Sequence, residues 1–389
     1  MQFIGDTQLD YNDVLIVPQT TTINHRGEVE IERHFKQLEL DLSMGYIEEF
    51  KCCPIMNANM TQTGTFEIAK KLIENNMIGC IHKFYTKEEI LDFLKDDSPY
   101  NKKTFFVTIG LRNQDEEIEK LEYIEYTNFK HSILIDVPNA YIPAVEELVK
   151  RVRKTFPGRI IAVGNVCTGD RTQELIKAGA NIIKVGIGPS AVCRTRHTTG
   201  CGRPQLSAVI ECANAAHQVG GLIIADGGFT MPGDLCKAFV AGADICMSGS
   251  MFAGCDEAAG EIITKVFETN EYDNATWVDE KGFYHNIIDD PIPDNGIIYD
   301  LNKKRIETKK FKEYYGMSSF RAQCENYGKK TTTGTSEGVE SKLILYTGPV
   351  KDTINNIKGA LRSCGSYIGA KNIKNFSRQG SFYKVNRIQ

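Results

Sequence analysis

The stretch "KVGIGPSAVCRTRHTTGCG" (184–202) places Cys193 just after a glycine-containing turn, where a side chain is exposed. A buried cysteine acts as a small hydrophobe, whereas cationic neighbours such as Arg194, Arg196 and His197 favour the nucleophilic thiolate. Thr195, two residues further on, could reach the same substrate atom. The segment therefore predicts nucleophilic catalysis by Cys193, and the alternative is a loop cysteine beside ordinary solvated arginines.

Two further glycine clusters follow apolar runs, "DGG" (226–228) and "SGS" (248–250). Backbone N–H groups in such loops bind phosphate, and glycine allows the phosphate to approach closely. Asp226 would be free to accept hydrogen bonds from a sugar diol. These loops predict a nucleotide or sugar-phosphate ligand, and the alternative is two tight turns. The carbonyl groups of "GIGPS" (186–190) could also surround a monovalent cation, although such turns are common.

Eight short apolar runs precede these polar clusters, and their hydrophobicity is continuous, as in strands buried on both faces. The runs span residues 54–58, 77–82, 104–110, 132–137, 159–164, 181–186, 222–228 and 244–249. Helix-like segments alternate with them, and the eighth such segment begins only near residue 350. This pattern predicts an α/β fold, a (β/α)₈ TIM barrel with its chemistry at the carboxyl ends of the strands. An open doubly wound sheet is the alternative, but GxGxxG is absent after the first strand.

We expect a single catalytic domain, residues 1–389, with an N-terminal extension. A long interruption separates the eighth strand from the last helix. Residues 263–312 form a polar insertion in which 282–287 and 296–301 have strand character. Residues 313–345 are rich in Gly, Ser and Thr and predict a mobile flap beside the barrel mouth. Glu337, in this flap, becomes a candidate catalytic group only if the flap closes over Cys193.

The overall composition limits the possible partners. The net charge is −4 with a pI near 6.1, so there is no general attraction for nucleic acid or an anionic membrane. No apolar stretch is long enough to span a bilayer, and the first residues do not resemble a signal peptide. The twelve cysteines lack paired zinc-type spacing, which argues against a structural metal. We therefore expect a cytoplasmic protein with reduced thiols.

The chain resembles the IMP dehydrogenase and GMP reductase family nearly from end to end, and GMP reductase more closely. The resemblance lies in "LDYNDVLIVP" (9–18), "NANMTQTGTFEIAK" (57–70), "GNVCTGD" (164–170), 178–217, 224–244, "YGMSS" (315–319), "SEG" (336–338) and "YIGA" (367–370). The chain lacks the long insertion that dehydrogenases carry after the second strand. It also lacks their flap Arg-Tyr pair, which activates water.

The resemblance implies reductive deamination of GMP to IMP and ammonia. Cys193 would attack purine C2 to give a covalent thioimidate, Thr195 and Glu337 would protonate the leaving amine, and NADPH would deliver hydride. Residues implied to bind substrate are Asp226, Gly227, Gly228, Gly249, Ser250, Gly316, Met317, Ser318, Ser336 and Gly338. Those implied to bind the cofactor are Lys83, Asp136, Val137, Pro138, Ile187, Gly188, Ser363, Cys364, Gly365, Ser366 and Arg26, the last from a neighbouring subunit. Backbone carbonyls of Gly188, Ser190, Cys193 and Arg196 would bind potassium, and a homotetramer is implied.

The chain departs from the family pattern at the flap and on the cofactor side. Thr333 and Gly334 stand where reductases usually carry a Tyr-Arg pair, and Phe320 replaces a usual Glu. Pro138 lies in the cofactor loop, where the family has alanine. Three hypotheses therefore stay open: a GMP reductase, the same covalent chemistry on another purine nucleotide such as dGMP or dehydrogenase-type oxidation, and a nucleotide-binding regulator without turnover.

Overall fold

Eight parallel strands surrounded by helices form the centre of the protein. The computed structural model describes residues 7–35, 50–95, 104–126, 131–272, 276–278, 284–286, 297–299, 304–328 and 335–386. Three short strands come first, β1 (Val14–Ile16), β2 (Arg33–Phe35) and β3 (Phe50–Cys52). The barrel strands are β4 (Ile55–Asn57), β5 (Gly79–Ile81), β6 (Phe105–Ile109), β7 (Ser132–Asp136), β8 (Ile161–Val166), β9 (Ile182–Val185), β10 (Leu222–Asp226) and β11 (Ile245–Ser248).

These strands follow the order β4-β11-β10-β9-β8-β7-β6-β5 in one parallel sheet. A bridge between Met56 and Ile78 joins β4 to β5, so the two ends of the sheet meet. All eight apolar runs form strands close to the expected positions. The predicted (β/α)₈ barrel is confirmed, and the alternative of an open doubly wound sheet is wrong.

Helices cover the outside of the barrel and complete its hydrophobic core, apart from α6 in the cysteine loop and α9 in the flap. They are α1 (Phe66–Glu74), α2 (Lys87–Lys95), α3 (Gln114–Glu125), α4 (Pro143–Thr155), α5 (Gly169–Lys177), α6 (Thr195–Thr199), α7 (Gln205–Gln218), α8 (Pro232–Val240), α9 (Phe320–Tyr327), α10 (Val350–Tyr367) and α11 (Phe376–Gln379). Helix α1 shows how the sequence produces them. The Thr65 hydroxyl caps its first turn by accepting from the Ile68 amide, and Ile68, Leu72 and Ile73 face the barrel.

The barrel interior is closed at the amino ends of the strands. The antiparallel pair β2–β3 packs Phe35 and Phe50 against the residues inside the barrel. At the same end, an Arg33 guanidinium nitrogen lies 2.7 Å from Asp244 Oδ1, and His217 Nε2 lies 2.9 Å from Asp244 Oδ2. The hydrogen bond to Asp244 raises the pKa of His217. This end of the molecule is therefore packed, leaving the carboxyl ends of the strands for ligands.

The polar insertion and the flap share one antiparallel sheet. Its strands are β12 (Ile262–Tyr272), β16 (Lys304–Tyr314) and β17 (Lys342–Leu345), and a second small sheet contains β13 (Thr276–Val278), β14 (Tyr284–Asn286) and β15 (Ile297–Tyr299). The two predicted strands at 282–287 and 296–301 are confirmed as β14 and β15. The last strand, β18 (Phe382–Lys384), pairs with β1. Thr333 and Gly334 lie outside the described residues.

No helix among the described residues combines the length and apolar character needed to cross a bilayer.

Candidate active site

A cavity of about 1130 Å³ opens at the carboxyl ends of the barrel strands. This is the face on which TIM-barrel enzymes carry their chemistry. Most of the residues singled out from the sequence line it: Lys83, Asp136, Val137, Pro138, Ile187, Gly188, Ser190, Cys193, Thr195, Arg196, Asp226, Gly227, Gly228, Gly249, Ser250, Met317 and Ser318. The cavity is large enough for two ligands side by side, because a site for one drug-sized ligand spans about 300–1,000 Å³.

Cys193 is the cysteine that lines this cavity within the described part of the chain. It is half-buried, and its Sγ atom lies 3.1 Å from Thr195 Oγ1. The buried cysteines differ, because burial raises the pKa of Cys53, Cys80 and Cys212 to about 12. Those thiols are protonated at neutral pH, whereas Cys193 combines access to the cavity with a hydroxyl partner.

The cationic residues beside Cys193 are arranged differently from the expectation. The Arg196 guanidinium donates to the carbonyl oxygen of Ile187 at 3.2 Å and pairs with Asp10 at 3.3 Å. It also donates to the carbonyl of Arg203, while Arg194 and His197 are exposed. Arg196 therefore fixes the shape of the cysteine loop, with its charge already matched by Asp10.

The flap is joined to the cysteine loop by a short antiparallel bridge between Cys193 and Gly338. The amide of Arg194 donates to the carbonyl of Glu337 at 2.6 Å, and the amide of Val339 donates to the carbonyl of Val192 at 2.9 Å. The backbone of Glu337 therefore lies directly beside the cysteine loop. Its side chain is not part of the cavity lining.

Three other flap residues implied to bind substrate lie behind the cavity wall. A Cβ atom on Gly316 would lie 2.5 Å from the carbonyl oxygen of Val192, and one on Gly338 would lie 2.5 Å from the amide nitrogen of Ser319. The Ser336 hydroxyl donates to the carbonyl of Gly338 at 2.9 Å. In this geometry Gly316, Ser336 and Gly338 allow the flap to pack closely, while Met317 and Ser318 reach the cavity.

The two glycine clusters predicted to bind phosphate lie together on one side of the cavity. Gly227 and Gly228 have φ angles of +84° and +83°, which favour glycine, and a Cβ on either residue would contact Pro189. A Cβ on Gly249 would lie 2.2 Å from the hydroxyl oxygen of Tyr314. The Ser250 hydroxyl donates to the carbonyl of Phe229 at 2.7 Å. The close packing leaves backbone groups facing the cavity.

Asp226 is not free, contrary to the expectation from its sequence context. Its Oδ2 atom accepts hydrogen bonds from Lys184 Nζ at 2.8 Å and from Asn165 Nδ2 at 2.9 Å. Lys184 also lies 2.9 Å from Asp136 Oδ1. The expectation failed because Lys184 and Asn165 come from β9 and β8, far from Asp226 in the chain. The Oδ1 atom is the part of Asp226 still available to a ligand.

The cavity wall beyond Asp136 contains residues that sequence reasoning missed. The Arg112 guanidinium lies 4.5 Å from the ring centroid of Tyr327, whose ring meets Phe84 edge-on at 5.5 Å. Arg112 follows β6, and Tyr327 ends α9 in the flap, so the contact joins the barrel to the flap. Within the described ranges, Arg112 has no acidic partner. A planar cation stacked on an aromatic ring suits an anionic, aromatic ligand.

The remaining residues assigned to the cofactor lie away from this cavity. Ser363, Cys364, Gly365 and Ser366 belong to the last turns of α10. Lys358, earlier in α10, already reaches the carbonyl of Asn75 at the end of α1, so these turns lie toward the amino ends of the strands. A Cβ on Gly365 would meet Val29, close in sequence to Arg26. Arg26 and 363–366 are therefore not part of the lining of this cavity.

The predicted potassium ligands lie on the cysteine loop, but two of their carbonyls already accept hydrogen bonds. The Ser190 carbonyl accepts from the Cys193 amide at 3.0 Å, and the Arg196 carbonyl accepts from the Gly200 amide at 3.1 Å. Gly188 has a φ angle of +83°, and its position under the Arg196 side chain leaves no room for a Cβ. The described residues contain no cluster of three metal-binding side chains.

Comparison with known proteins agrees with this geometry. A family model described as the IMP dehydrogenase / GMP reductase domain matches residues 8–274 and 302–388. A GMP reductase of Klebsiella pneumoniae is 38% identical over 386 residues, covering 99% of this chain and 97% of the relative. GMP reductases of Shigella boydii serotype 18 and Photobacterium profundum are 37% and 35% identical over 385 residues, with the same coverage. The internal unmatched stretch, residues 275–301, lies within the predicted polar insertion. The chain therefore belongs to the IMP dehydrogenase/GMP reductase family of oxidoreductases.

Proposed function

We propose that this protein catalyses the NADPH-dependent reductive deamination of GMP to IMP and ammonia through a covalent adduct on Cys193. The observation that carries the proposal is the position of the Cys193 thiol. It faces a nucleotide-sized cavity, contacts Thr195 at 3.1 Å and lies on a loop bridged to the flap residue Glu337. The GMP reductase names of the related proteins support this substrate over other purine nucleotides.

The first step would form a bond between the Cys193 sulfur and purine C2, making C2 tetrahedral. The C2–amine bond then breaks and the amine leaves as ammonia. Thr195 and Glu337 would supply the proton, because an amine leaves readily only when protonated. A thioimidate links Cys193 to the purine at this stage.

The second step would return Cys193 to its starting state. NADPH supplies a hydride to C2 when bound, and the C2–sulfur bond breaks to release IMP and the thiolate. Overall, GMP, NADPH and two protons give IMP, NADP⁺ and ammonium. The oxidised species is NADPH, and the reduced centre is purine C2.

Binding of GMP would use the glycine loops and Asp226. Backbone groups of Gly227, Gly228, Gly249 and Ser250 suit the phosphate, and Asp226 Oδ1 suits a ribose hydroxyl. Met317 and Ser318, which enter the cavity from the flap, would contact the base. The Met317 sulfur accepts a hydrogen bond from Thr61 at 3.6 Å, which supports its fixed position.

The cofactor would occupy the second part of the cavity, lined by Lys83, Asp136, Val137, Pro138, Ile187 and Gly188. Arg112 also lines this part of the cavity and stacks on Tyr327. Among the described residues it has no acidic partner, so its guanidinium suits a phosphate group of a nicotinamide dinucleotide. Arg26 and 363–366 would meet the cofactor of a neighbouring copy, in a homotetramer, because they lie away from their own cavity. Their shared location, where the 3₁₀ turn at Arg26–Glu28 packs on α10, supports this arrangement.

Potassium would bind the carbonyl oxygens of Gly188, Ser190, Cys193 and Arg196 and would stabilise the loop rather than take part in bond making. The left-handed conformation of Gly188 supports a tight turn of carbonyl groups at this point. Ser190 and Arg196 contribute less to the fit, because their carbonyls already accept the amides of Cys193 and Gly200.

The test is oxidation of the reduced nicotinamide cofactor by purified protein, with ammonium measured in parallel. GMP with NADPH should give equal amounts of NADP⁺, IMP and ammonium, and NADH should be used less efficiently. dGMP in place of GMP tests the substrate, and IMP with NAD⁺ tests the dehydrogenase direction. Turnover of dGMP without turnover of GMP, or oxidation of IMP without reduction of GMP, would overturn the proposal. If the protein binds GMP but turns over no substrate in all of these assays, the result would favour a nucleotide-binding regulator.

A further inference from the structure

Lys184 is a buried lysine inside the barrel that belongs to none of the predicted sites. Its side chain is 3% exposed, and its Nζ atom lies 2.9 Å from Asp136 Oδ1 and 2.8 Å from Asp226 Oδ2. One ammonium group therefore faces two carboxylates that end two different barrel strands, β7 and β10. Burial of this kind requires paired charges, since an isolated buried charge is very costly.

The neighbouring strand leaves room for this lysine. Gly164 in β8 pairs with Lys184 in the sheet, and a Cβ on Gly164 would lie 2.6 Å from the Cβ of Lys184. The next residue, Asn165, adds a second hydrogen bond to Asp226 Oδ2 at 2.9 Å. The orientation of Asp226 is thus set by two donors on one oxygen, which leaves Oδ1 for a ligand.

The two carboxylates face different parts of the cavity. Asp226 precedes the glycine loop assigned to the substrate, and Asp136 precedes Val137 and Pro138 in the part assigned to the cofactor. Lys83 Nζ lies 3.9 Å from Asp136 Oδ2, so a second cation faces Asp136 from the cofactor side. Lys184 is the group that touches both carboxylates.

The charges in this cluster hold each other in the ionised form. Burial acts to lower the pKa of Lys184, but the charges of Asp136 and Asp226 outweigh it and raise that pKa. Burial acts to raise the pKa of Asp136, but Lys184 and Lys83 outweigh it and lower that pKa.

Among the described residues, other titratable groups near the cluster include Cys80, Tyr11, Tyr314 and, beyond Lys83, the ion pair of Lys120 with Glu117. Burial raises the pKa of Cys80, Tyr11 and Tyr314, so these three groups are neutral. The ammonium and carboxylate charges are therefore the charges that decide the ionisation of the cluster.

We propose that Lys184 is a positioning residue that orients Asp226 toward the substrate ribose and Asp136 toward the nicotinamide cofactor, so that the two binding sites are energetically coupled. The identities of the two ligands rest on the proposed function. Without the Lys184 ammonium, Asp136 keeps only Lys83, at 3.9 Å, and Asp226 keeps only the neutral donor Asn165. The two partly exposed carboxylates then repel each other, and one of them takes up a proton or turns away. Either response disturbs both binding sites at once.

The experiment measures binding of GMP and of NADPH, each alone, to the full-length wild type and to Lys184→Met. The variant should bind both ligands more weakly by at least about tenfold, because Asp226 loses its cation partner and Asp136 loses the nearer of its two. In kinetics, the acid limb of kcat/KM should move to higher pH by about one unit or more, since a carboxylate that loses a neighbouring cation is protonated more easily. A purely structural loss would lower the active fraction without moving that limb.

Lys237→Met is the matched control. Lys237 is also buried, at 7% side-chain exposure, and donates to the carbonyl of Tyr11 at 2.9 Å and to Asp234 at 3.4 Å. Its loss should reduce stability while leaving the acid limb of kcat/KM at its wild-type pH. A Lys184→Met protein with wild-type affinity for either ligand, or with an unshifted acid limb, overturns the proposal.

Two isosteric variants test the coupling if Lys184→Met does not fold. Asp136→Asn should weaken GMP binding and Asp226→Asn should weaken NADPH binding, each by about two- to tenfold, although the altered residue faces the other ligand. If Asp136→Asn binds GMP and Asp226→Asn binds NADPH with wild-type affinity, the coupling is refuted. If the wild type binds neither GMP nor NADPH, the proposed function fails instead, and the inference fails with it.

Discussion

The amide of Arg194 donates a 2.6 Å hydrogen bond to the carbonyl of Glu337, which joins the cysteine loop to the flap. Arg194 lies between Cys193 and Thr195, so the flap is attached between the two residues proposed to be catalytic. Because this attachment uses backbone groups, it does not depend on which side chains the flap carries. The divergence of the flap sequence at Phe320, Thr333 and Gly334 is therefore compatible with an unchanged cysteine loop.

Replacing Cys193 by alanine should lower turnover of GMP by at least about 10³-fold, because no other group can form the covalent adduct. GMP binding should change little, since the phosphate and ribose contacts lie elsewhere. Cofactor oxidation and equilibrium binding measure the two effects. Cys201→Ala, an exposed cysteine nearby in the chain, is the control and should remain active. A Cys193→Ala protein that still reduces GMP refutes the nucleophile.

Glu337→Gln should slow ammonia release far more than hydride transfer, because glutamine cannot supply a proton to the leaving amine. Rapid-quench measurement of ammonium beside cofactor oxidation separates the two steps. Glu340→Gln is the flap control: Glu340 accepts from the amides of Phe320 and Arg321, so its loss should weaken both steps together. A change in KM alone for Glu337→Gln would show that its assigned role is wrong.

Gly249→Ala should raise the KM for GMP by roughly tenfold, because the new Cβ would displace the Tyr314 hydroxyl from a packed wall, at about 1–3 kcal/mol. Tyr314→Phe, added to Gly249→Ala, removes the atom in the way and should restore part of the affinity. Gly233→Ala is the control, since a Cβ there meets nothing within 4 Å. Steady-state kinetics with varied GMP measure the KM. If the double variant Gly249→Ala/Tyr314→Phe keeps the raised KM of Gly249→Ala, the explanation is contradicted.

Arg112→Ala should raise the KM for NADPH by about tenfold and leave the KM for GMP within about twofold, because the guanidinium faces the cofactor part of the cavity. Lysine at this position should restore little, since it lacks the planar group that stacks on Tyr327. Arg151→Ala, which removes a surface arginine paired with Asp115, is the control. Comparison of NADPH with NADH identifies the phosphate: equal losses indicate the pyrophosphate, and a loss with NADPH alone indicates the 2′-phosphate. An effect on GMP alone contradicts the assignment.

His217 should stabilise the fold more at mildly acidic pH than at alkaline pH. Its folded-state pKa is raised above the ordinary 6.5, first by the hydrogen bond to Asp244. The contribution is therefore fully present below about pH 6.5 and is lost as the pH rises through the folded-state value. Urea unfolding of the wild type and of His217→Gln at several pH values measures this. The two curves should converge at high pH, and a constant difference would contradict the linkage. His197→Gln, at an exposed histidine, is the control.

The strands were predictable because each is buried on both faces and therefore reads as a continuous apolar run. The cavity followed from them, since parallel strands in a closed barrel present all their carboxyl ends on one face. Thus Cys193, Asp226 and Gly249, distant in sequence, could be placed together before their contacts were known.

The partners of these residues were not predictable in the same way. Lys184 carried a signal, a charge inside the apolar run "NIIKVG", but the pattern alone does not say which carboxylates it meets. Arg112 carried none, because an arginine in a loop is ordinarily solvated. Its contact with Tyr327 depends on how the flap lies over the barrel, which no local pattern determines.

The closure of the barrel by β2 and β3, with Arg33, Asp244 and His217, has a consequence for engineering. Determinants of folding are concentrated at one end of the cylinder, and determinants of specificity at the other. Substitutions at the carboxyl ends of the strands, made to change purine or cofactor selectivity, often cost stability. Stabilising substitutions at the opposite end, near β2 and β3, could restore that stability with little effect on the ligand site.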